Sequence, residues 1–171
     1  MAILALDLST KSSGYACFKD GELTIHGCIT SASTDLIKRI HIMTDNIENI
    51  LNNNSDITKL IVEEVRPEGG YGVGNQKTHK ALMYLQAAIE FLIHDKFPTI
   101  TIEYIYPSSW RATLGIKNGR GIKRTTLKEE DIAFVKNKYN ILVNDDEADA
   151  ICIGLAQFLK TDNEEEGFNW E

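Results

Sequence analysis

The chain has 171 residues, of which 43% are hydrophobic and 25% charged, with 12 glycines and 3 prolines. This length and composition predict one globular domain with a substantial core, and they exclude a collagen-like or largely disordered chain. No apolar run approaches the ~18 residues of a membrane span, the N-terminus lacks the basic region of a signal peptide, and three widely spaced cysteines exclude a disulfide framework. We therefore expect a cytoplasmic protein that does not contact a membrane.

The net charge of −7 is unevenly distributed along the chain. Residues 161–171 carry five acids and no base, and we expect them to form a flexible tail after a domain of residues 1–160. Residues 111–128 carry six bases and no acid. Because a local basic segment can bind a polyanion even in an acidic protein, the net charge does not exclude a nucleic-acid partner.

The first half of the chain predicts three strands, a helix and a fourth strand. The first strand is almost continuously apolar and reaches Asp7, which is typical of a central strand buried on both faces. The pair Asp20-Gly21 between the next two strands favours a two-residue hairpin turn. Apolar residues at intervals of three and four then predict a helix. The strands are 2–8, 14–18, 23–29 and 59–65, and the helix is about 33–52.

The second half predicts four helices and one more strand, separated by glycine-rich loops over 66–76 and 115–124. Ser108 or Ser109 is expected to cap the second helix, and Thr126 with Glu129 forms a capping box for the third. The predicted elements are a helix through 81–92, a strand over 99–106, and helices over 108–114, 126–139 and 145–160. This order favours an α/β fold with one mixed sheet of five strands and helices on its faces.

Acidic residues stand at the ends of two buried strands. Asp7 ends the first strand, and Glu63 and Glu64 end the fourth. Buried carboxylates are unfavourable unless they are paired, protonated or bound to a metal, and Mg²⁺ prefers oxygen ligands. Periodicity does not choose between Glu63 and Glu64, because both faces of their strand are apolar.

A second acidic cluster, 145–150, opens the last helix. At about 100° per residue, Asp146 and Asp149 share one flank of this helix, beside its apolar face. Glu147 falls on the opposite flank and is predicted to face solvent, while Asp145 is the expected N-cap. Asp146 and Asp149 can therefore share a site.

Three segments together resemble the RuvC-type Holliday junction resolvases of the RNase H-like superfamily, in particular the phage-encoded branch. They are LALDLSTKSSGYA, then IVEEV followed by a loop and an amphipathic helix, then DEADAICIGLA. The resemblance spans about residues 1–160. It implies an RNase H-like fold and four acidic residues that bind two Mg²⁺ ions, for which Mn²⁺ can substitute. Carried over by motif, these catalytic and metal-ligating residues are Asp7, Glu63, Asp146 and Asp149.

The activity that this resemblance implies is Mg²⁺-dependent, structure-selective cleavage of Holliday junctions and other branched DNA. The phosphodiester would be hydrolysed by a two-metal mechanism, in recombination, repair or phage DNA processing within a bacterial host cell. Symmetric cutting of a four-way junction needs two active sites, so the family implies a homodimer. No small-molecule cofactor is implied.

The DNA contacts are expected on the two glycine-rich segments and around the site. Bacterial resolvases carry an aromatic wedge where this chain has Arg66, and Tyr71 could replace it by stacking on a base. We therefore expect structure-selective rather than strongly sequence-selective cutting. Trp110 is predicted to be a core residue or a DNA contact, and His79 a surface residue. The predicted DNA-binding residues are Arg66, Tyr71, Lys77, Arg111, Lys117, Arg120, Lys123 and Arg124.

Two alternatives stay open from the sequence. One is a relative of the YqgF type that acts on RNA, against which the extended basic segment 111–128 argues. The other is a non-catalytic protein that binds branched DNA. The four acids argue against it, because carboxylates that face phosphate weaken simple binding.

Overall fold

The computed structural model describes residues 1–65, 73–116 and 121–166, with the side chains of 73–75 and 161–166 excepted. The strands are β1 (Ala2–Asp7), β2 (Ser12–Lys19), β3 (Glu22–Thr30), β4 (Ile57–Glu63) and β5 (Thr101–Ile105). They form one mixed sheet in the order β3-β2-β1-β4-β5. β1 pairs antiparallel with β2 and parallel with β4; β3 pairs antiparallel with β2, and β5 parallel with β4. The predicted five-stranded mixed sheet is confirmed.

Helices cover both faces of the sheet, as predicted. The helices are α1 (Leu36–Asn53), α2 (Val73–Lys96), α3 (Pro107–Thr113), α4 (Arg124–Tyr139) and α5 (Asp145–Glu166). On one face, Met43 and Leu85 belong to a core shared by α1, α2 and the sheet. On the other face, Trp110, Val135 and Ile151 belong to a second core built with α3, α4 and α5. In the described part of the chain, no helix has the length and apolarity needed to span a membrane.

The pleat of β1 directs its acidic end toward α5. Leu4 and Leu6 pack in the core with α1 and α2, whereas Ile3 and Ala5 pack in the core with α5. Side chains alternate between faces along a strand, so Asp7 continues the row of Ile3 and Ala5. The first predicted site residue therefore lies on the α5 side of the sheet.

The same alternation in β4 decides between the two glutamates. Leu60 and Val62 pack with α1 and α2, and Ile61 packs with the α3–α5 layer. Glu63 shares the face of Ile61 and so lies on the same side as the acids of α5. Glu64 lies beyond the strand, and its backbone N–H donates to the carbonyl of Ile105 at 2.9 Å.

Gly14 allows α5 to approach the sheet closely. It pairs with Asp7 across the β1–β2 ladder, and a Cβ atom at this position would lie 1.8 Å from the backbone carbonyl oxygen of Asp146. A side chain cannot be accommodated there without moving the backbone of α5. The absence of a side chain at Gly14 thus helps to place Asp146 beside Asp7.

Gly14→Ala is expected to destabilise the protein by roughly 3 kcal/mol, because the clash is with backbone rather than with a flexible side chain. The melting temperature should fall by roughly 6–12 °C. Gly27→Ala is the matched control: its Cβ would meet the half-buried ring of Tyr15, which can rotate. Thermal unfolding followed by circular dichroism tests the pair, and equal effects would contradict this role for Gly14.

Four helix starts differ from the prediction. α1 begins at Leu36 after its cap Asp35, rather than at about residue 33. α2 begins at Val73, so residues 73–76 are helical rather than part of the predicted loop. α3 begins at Pro107, and neither Ser108 nor Ser109 caps it. The fixed φ of proline and its missing N–H suit the first position of a helix. α4 begins at Arg124 after Lys123, so the predicted capping box at Thr126 lies inside the helix.

α5 begins at Asp145 as predicted, but Asn144 rather than Asp145 caps it. The Glu147 backbone N–H donates to Asn144 Oδ1 at 2.9 Å, and Glu147 Oε2 accepts from the Asn144 N–H at 3.2 Å. This reciprocal pair is a capping box, so the predictions of Asp145 as cap and of a solvent-facing Glu147 were wrong. Glu147 also contacts His26 Nδ1 at 3.0 Å. At its other end α5 runs to Glu166, past the predicted end at 160.

Candidate active site

Four carboxylates lie together at one end of the sheet. β1 and β4 are parallel neighbours, so their last residues, Asp7 and Glu63, lie at the same edge. The first two turns of α5 add Asp146 and Asp149 from the layer that packs on this face. Asp7 interacts electrostatically with each of the other three. The fold thus brings together all four acids that the resemblance assigns to the site.

Three of these carboxylates, those of Asp7, Glu63 and Asp149, lie in an environment that disfavours their charge. Burial, followed by the negative charges of Glu63 and Asp146, raises the pKa of Asp7 to about 8. Burial, followed by the charge of Asp7, raises the pKa of Asp149 to about 9. Burial also raises the pKa of Glu63, against a hydrogen bond that lowers it. Such a cluster gains stability from any cation that binds between its members.

Three neighbouring side chains orient the acids. The Ser12 hydroxyl donates to Asp146 Oδ2 at 2.5 Å, and Trp110 Nε1 donates to Glu63 Oε2 at 3.0 Å. Lys128 Nζ bonds to Asp145 and lies 3.9 Å from Asp146 Oδ1. Trp110 is thus a fully buried core residue that also contacts the site. Neither Ser12 nor Lys128 was among the predicted site residues. Ser12 lies within the segment LALDLSTKSSGYA, and its presence in that segment was the one feature of the sequence that could have pointed to a role in the site.

Arg111 is not a surface residue of a basic loop, and this corrects its predicted position. It lies in α3 with 8% of its surface exposed and makes a bidentate ion pair with Asp131, which is fully buried. Its guanidinium carbon lies 4.0 Å from the centre of the Trp110 ring. Nη2 also lies 3.8 Å from Asp149 Oδ1. Asp131 was missed entirely, since nothing in its local sequence separates it from the exposed acids beside it.

The remaining predicted DNA contacts fall into two groups. Lys77, Lys123 and Arg124 are exposed, and Arg124 lines a cavity of about 410 Å³ together with Asp7 and Glu63. The others lie outside the described residues; these are Arg66, Tyr71, Lys117 and Arg120.

His79 lines the same cavity from α2. It is half-buried, and its Nδ1 atom is buried without a hydrogen-bond partner among the described residues. The prediction of a surface histidine was therefore wrong. The position of His79 depends on which face of α2 borders the cavity, and the sequence around this histidine does not predict that face.

The donor set fits a hard divalent cation. All four side chains offer carboxylate oxygens, and Asp149 Oδ1 is buried without a hydrogen-bond partner among the described residues. Among those residues, no group of three or more acidic, histidine or cysteine side chains is arranged to hold an ion as it stands. Ligation of one ion by three of these carboxylates therefore requires side-chain movement.

The raised pKa values of Asp7 and Asp149 predict that the metal-free protein loses stability as the pH rises. Below about pH 4 both carboxyls are protonated in the folded and the unfolded chain. From there up to about pH 8–9, the folded protein retains protons that the unfolded chain has released, so raising the pH favours unfolding.

We expect the melting temperature in EDTA to be several degrees lower at about pH 8 than at about pH 5.5, since ~1 kcal/mol corresponds to about 2–4 °C for a chain of this size. Millimolar Mg²⁺ at the higher pH should reverse the loss. In the Asp7→Asn variant, the melting temperature in EDTA should depend less on pH than in wild type. A melting temperature that rises with pH in EDTA would contradict this account.

Comparison with solved structures shows the architecture. The Thermus thermophilus RuvC structure in complex with Holliday junction substrate matches with a TM-score of 0.74 at 12% identity, over 95% of this chain and 96% of that one. The chain has the RuvC fold. A second Thermus thermophilus RuvC structure gives a TM-score of 0.71 at 13% identity, over 96% and 97% of the two chains.

A third solved structure with the RuvC fold is the yeast mitochondrial Holliday junction resolvase Ydc2. It matches with a TM-score of 0.58 at 15% identity, over 97% of this chain and 82% of that one. No protein-family model and no curated protein matches the sequence. The RNase H-like fold predicted from the sequence is confirmed. The similarity that confirms it is one of three-dimensional structure.

Proposed function

We propose that this protein is a divalent-metal-dependent endonuclease that cuts four-way and other branched DNA. The observation that supports the proposal most directly is the convergence of four carboxylates from β1, β4 and α5 at one end of the sheet, in a chain with the RuvC fold. One matching structure is of a RuvC bound to a Holliday junction. Roles in recombination, repair or phage DNA processing are consistent with such an activity.

In the proposed mechanism, Asp7, Glu63, Asp146 and Asp149 would hold two Mg²⁺ ions, or Mn²⁺ in their place. The ions would supply an activated water and stabilise the leaving oxygen of the phosphodiester. Ser12 orients the carboxylate of Asp146 through the hydrogen bond described above.

Trp110 orients the carboxylate of Glu63 from the buried side of the site. Lys128 offsets the negative charge at the start of α5. These neighbours orient the acids before a metal ion binds, and ligation then requires the side-chain movement described above.

The substrate would approach the open side of the cavity. Lys123 and Arg124 lie at the start of α4 and are exposed, and Arg124 also lines the cavity beside Asp7 and Glu63. Exposed cations next to an acidic site can track a DNA backbone and hold the scissile phosphate against it.

A homodimer would place two such sites on the two strands of a junction. α2 presents Met83, Tyr84 and Phe91 to solvent, and Phe91 is 70% exposed. Such a row of large apolar side chains is compatible with a protein–protein contact.

The proposal is tested with an end-labelled synthetic four-way junction, a linear duplex of the same sequence and an RNA–DNA hybrid. Wild type and Asp149→Asn are incubated with each in Mg²⁺ and in EDTA. We expect paired nicks at symmetric positions in the junction alone, lost in EDTA and in the variant. Junction that is bound but intact in every lane would contradict the proposal in favour of a binding protein. Preferential cutting of the hybrid would favour an RNA-directed nuclease.

A further inference from the structure

Arg111, the one buried basic side chain among the described residues, faces two aspartates in the α3–α5 layer. Arg111 extends from α3 toward Asp131 of α4 and Asp149 of α5. Asp131 is fully buried and Asp149 is 6% exposed, so water cannot compensate the charge that either carboxylate carries when it is ionised. The guanidinium can offset one of the two carboxylates fully, but not both.

The geometry shows which aspartate holds the guanidinium. Arg111 Nε lies 3.2 Å from both carboxylate oxygens of Asp131, and Nη2 lies 2.7 Å from Asp131 Oδ2. The distance from Nη2 to Asp149 Oδ1 is 3.8 Å, beyond a hydrogen bond. Asp149 Oδ1 has no hydrogen-bond partner among the described residues, although a charged donor lies close by.

A small displacement would reverse this arrangement. Nη2 would need to move by only about 1 Å to reach hydrogen-bond distance from Asp149 Oδ1. The Trp110 ring, 4.0 Å from the guanidinium carbon, supports the group from one side but does not prevent it from rotating in its own plane. The bidentate pair with Asp131 is therefore the interaction that keeps the guanidinium away from Asp149.

We propose that Asp131 is a positioning residue for metal binding: by holding the guanidinium of Arg111 in a bidentate pair, it keeps Asp149 available to a divalent cation. The inference rests on the proposed function, in which Asp149 is a metal ligand. Without Asp131 as partner, Arg111 would neutralise Asp149 directly and compete with the metal ion for the same carboxylate.

The test measures Mg²⁺ binding by isothermal titration calorimetry, and Mn²⁺ binding by electron paramagnetic resonance, on full-length wild type and variants. Asp131→Asn removes the charge of the partner while keeping its shape. We expect it to weaken metal binding by about tenfold or more, as for other residues that position a ligand. Glu130→Gln, an exposed neighbour in α4, makes the same charge change and should leave binding unaltered.

A double variant separates positioning from folding. Arg111→Met with Asp131→Leu removes the competing cation together with its partner, and apolar replacements of a buried ion pair are commonly tolerated. We expect its Mg²⁺ affinity to lie within about threefold of wild type. A purely structural role for the pair predicts that the double variant binds metal no better than Asp131→Asn.

Three results would overturn the inference: a folded Asp131→Asn that binds metal as wild type does, an equal effect of Glu130→Gln, or a double variant that has lost about tenfold in affinity. If Asp131→Asn does not fold, the double variant alone decides. A wild-type protein that binds neither ion would instead contradict the proposed function, and the inference with it.

Discussion

Asp7→Asn is expected to abolish junction cleavage and, at the same time, to raise the melting temperature of the metal-free protein. Burial, followed by the negative charges of Glu63 and Asp146, raises the pKa of Asp7 to about 8. An amide removes this repulsion but provides a poor metal ligand. We expect the cleavage rate to fall by roughly 10³-fold or more, and the protein to gain about 1–3 kcal/mol of stability at about pH 8 in EDTA.

The opposite signs of these two effects make the experiment specific. A variant that merely unfolds loses both activity and stability, whereas a replaced ligand loses activity alone. Asp45→Asn on the exposed surface of α1 is the matched control and should change neither quantity. Cleavage by Asp7→Asn at the wild-type rate would contradict the catalytic assignment, and a lower melting temperature in EDTA would contradict the electrostatic account of the site.

Lys123→Gln with Arg124→Gln is expected to weaken binding to a four-way junction by about tenfold, with little change in thermal stability. Both residues are exposed at the start of α4, next to the acidic cavity. Each lost phosphate contact should reduce the slope of log affinity against log salt by about 0.9, so the double variant should show a slope shallower by about 2. Electrophoretic mobility shifts in EDTA over a range of salt measure both quantities without cleavage.

The control for this variant lies on the same helix. Lys136→Gln with Lys138→Gln makes the same charge change at the far end of α4, about 20 Å away by the rise of an α-helix. If nonspecific charge attraction accounted for binding, the two double variants would be equivalent. We expect the control to keep most of the affinity and the full salt slope, and an equal loss would place the DNA elsewhere on the surface.

Local sequence patterns were sufficient to predict the five strands to within two residues at each end, as well as the presence of all five helices. The nearly unbroken apolar run of β1 and the Asp20-Gly21 turn depend on neighbouring residues, and such patterns can be recognised without knowing the fold. The pairing of Asp146 with Asp149 on one flank of α5 is likewise a consequence of helical periodicity. The starts of the helices were predicted less accurately than the strands, because several side chains near the start of a helix are able to cap it.

The tertiary structure decided which acids meet and what surrounds them. Glu63 was indistinguishable from Glu64 until the α3–α5 layer identified which face of β4 carries the site. Arg111 and Asp131 are 20 residues apart, and their pairing depends on how α3 and α4 pack together. Packing of elements that are distant in the chain determines burial and hence charge pairing, whereas periodicity only reports the environment of each element separately.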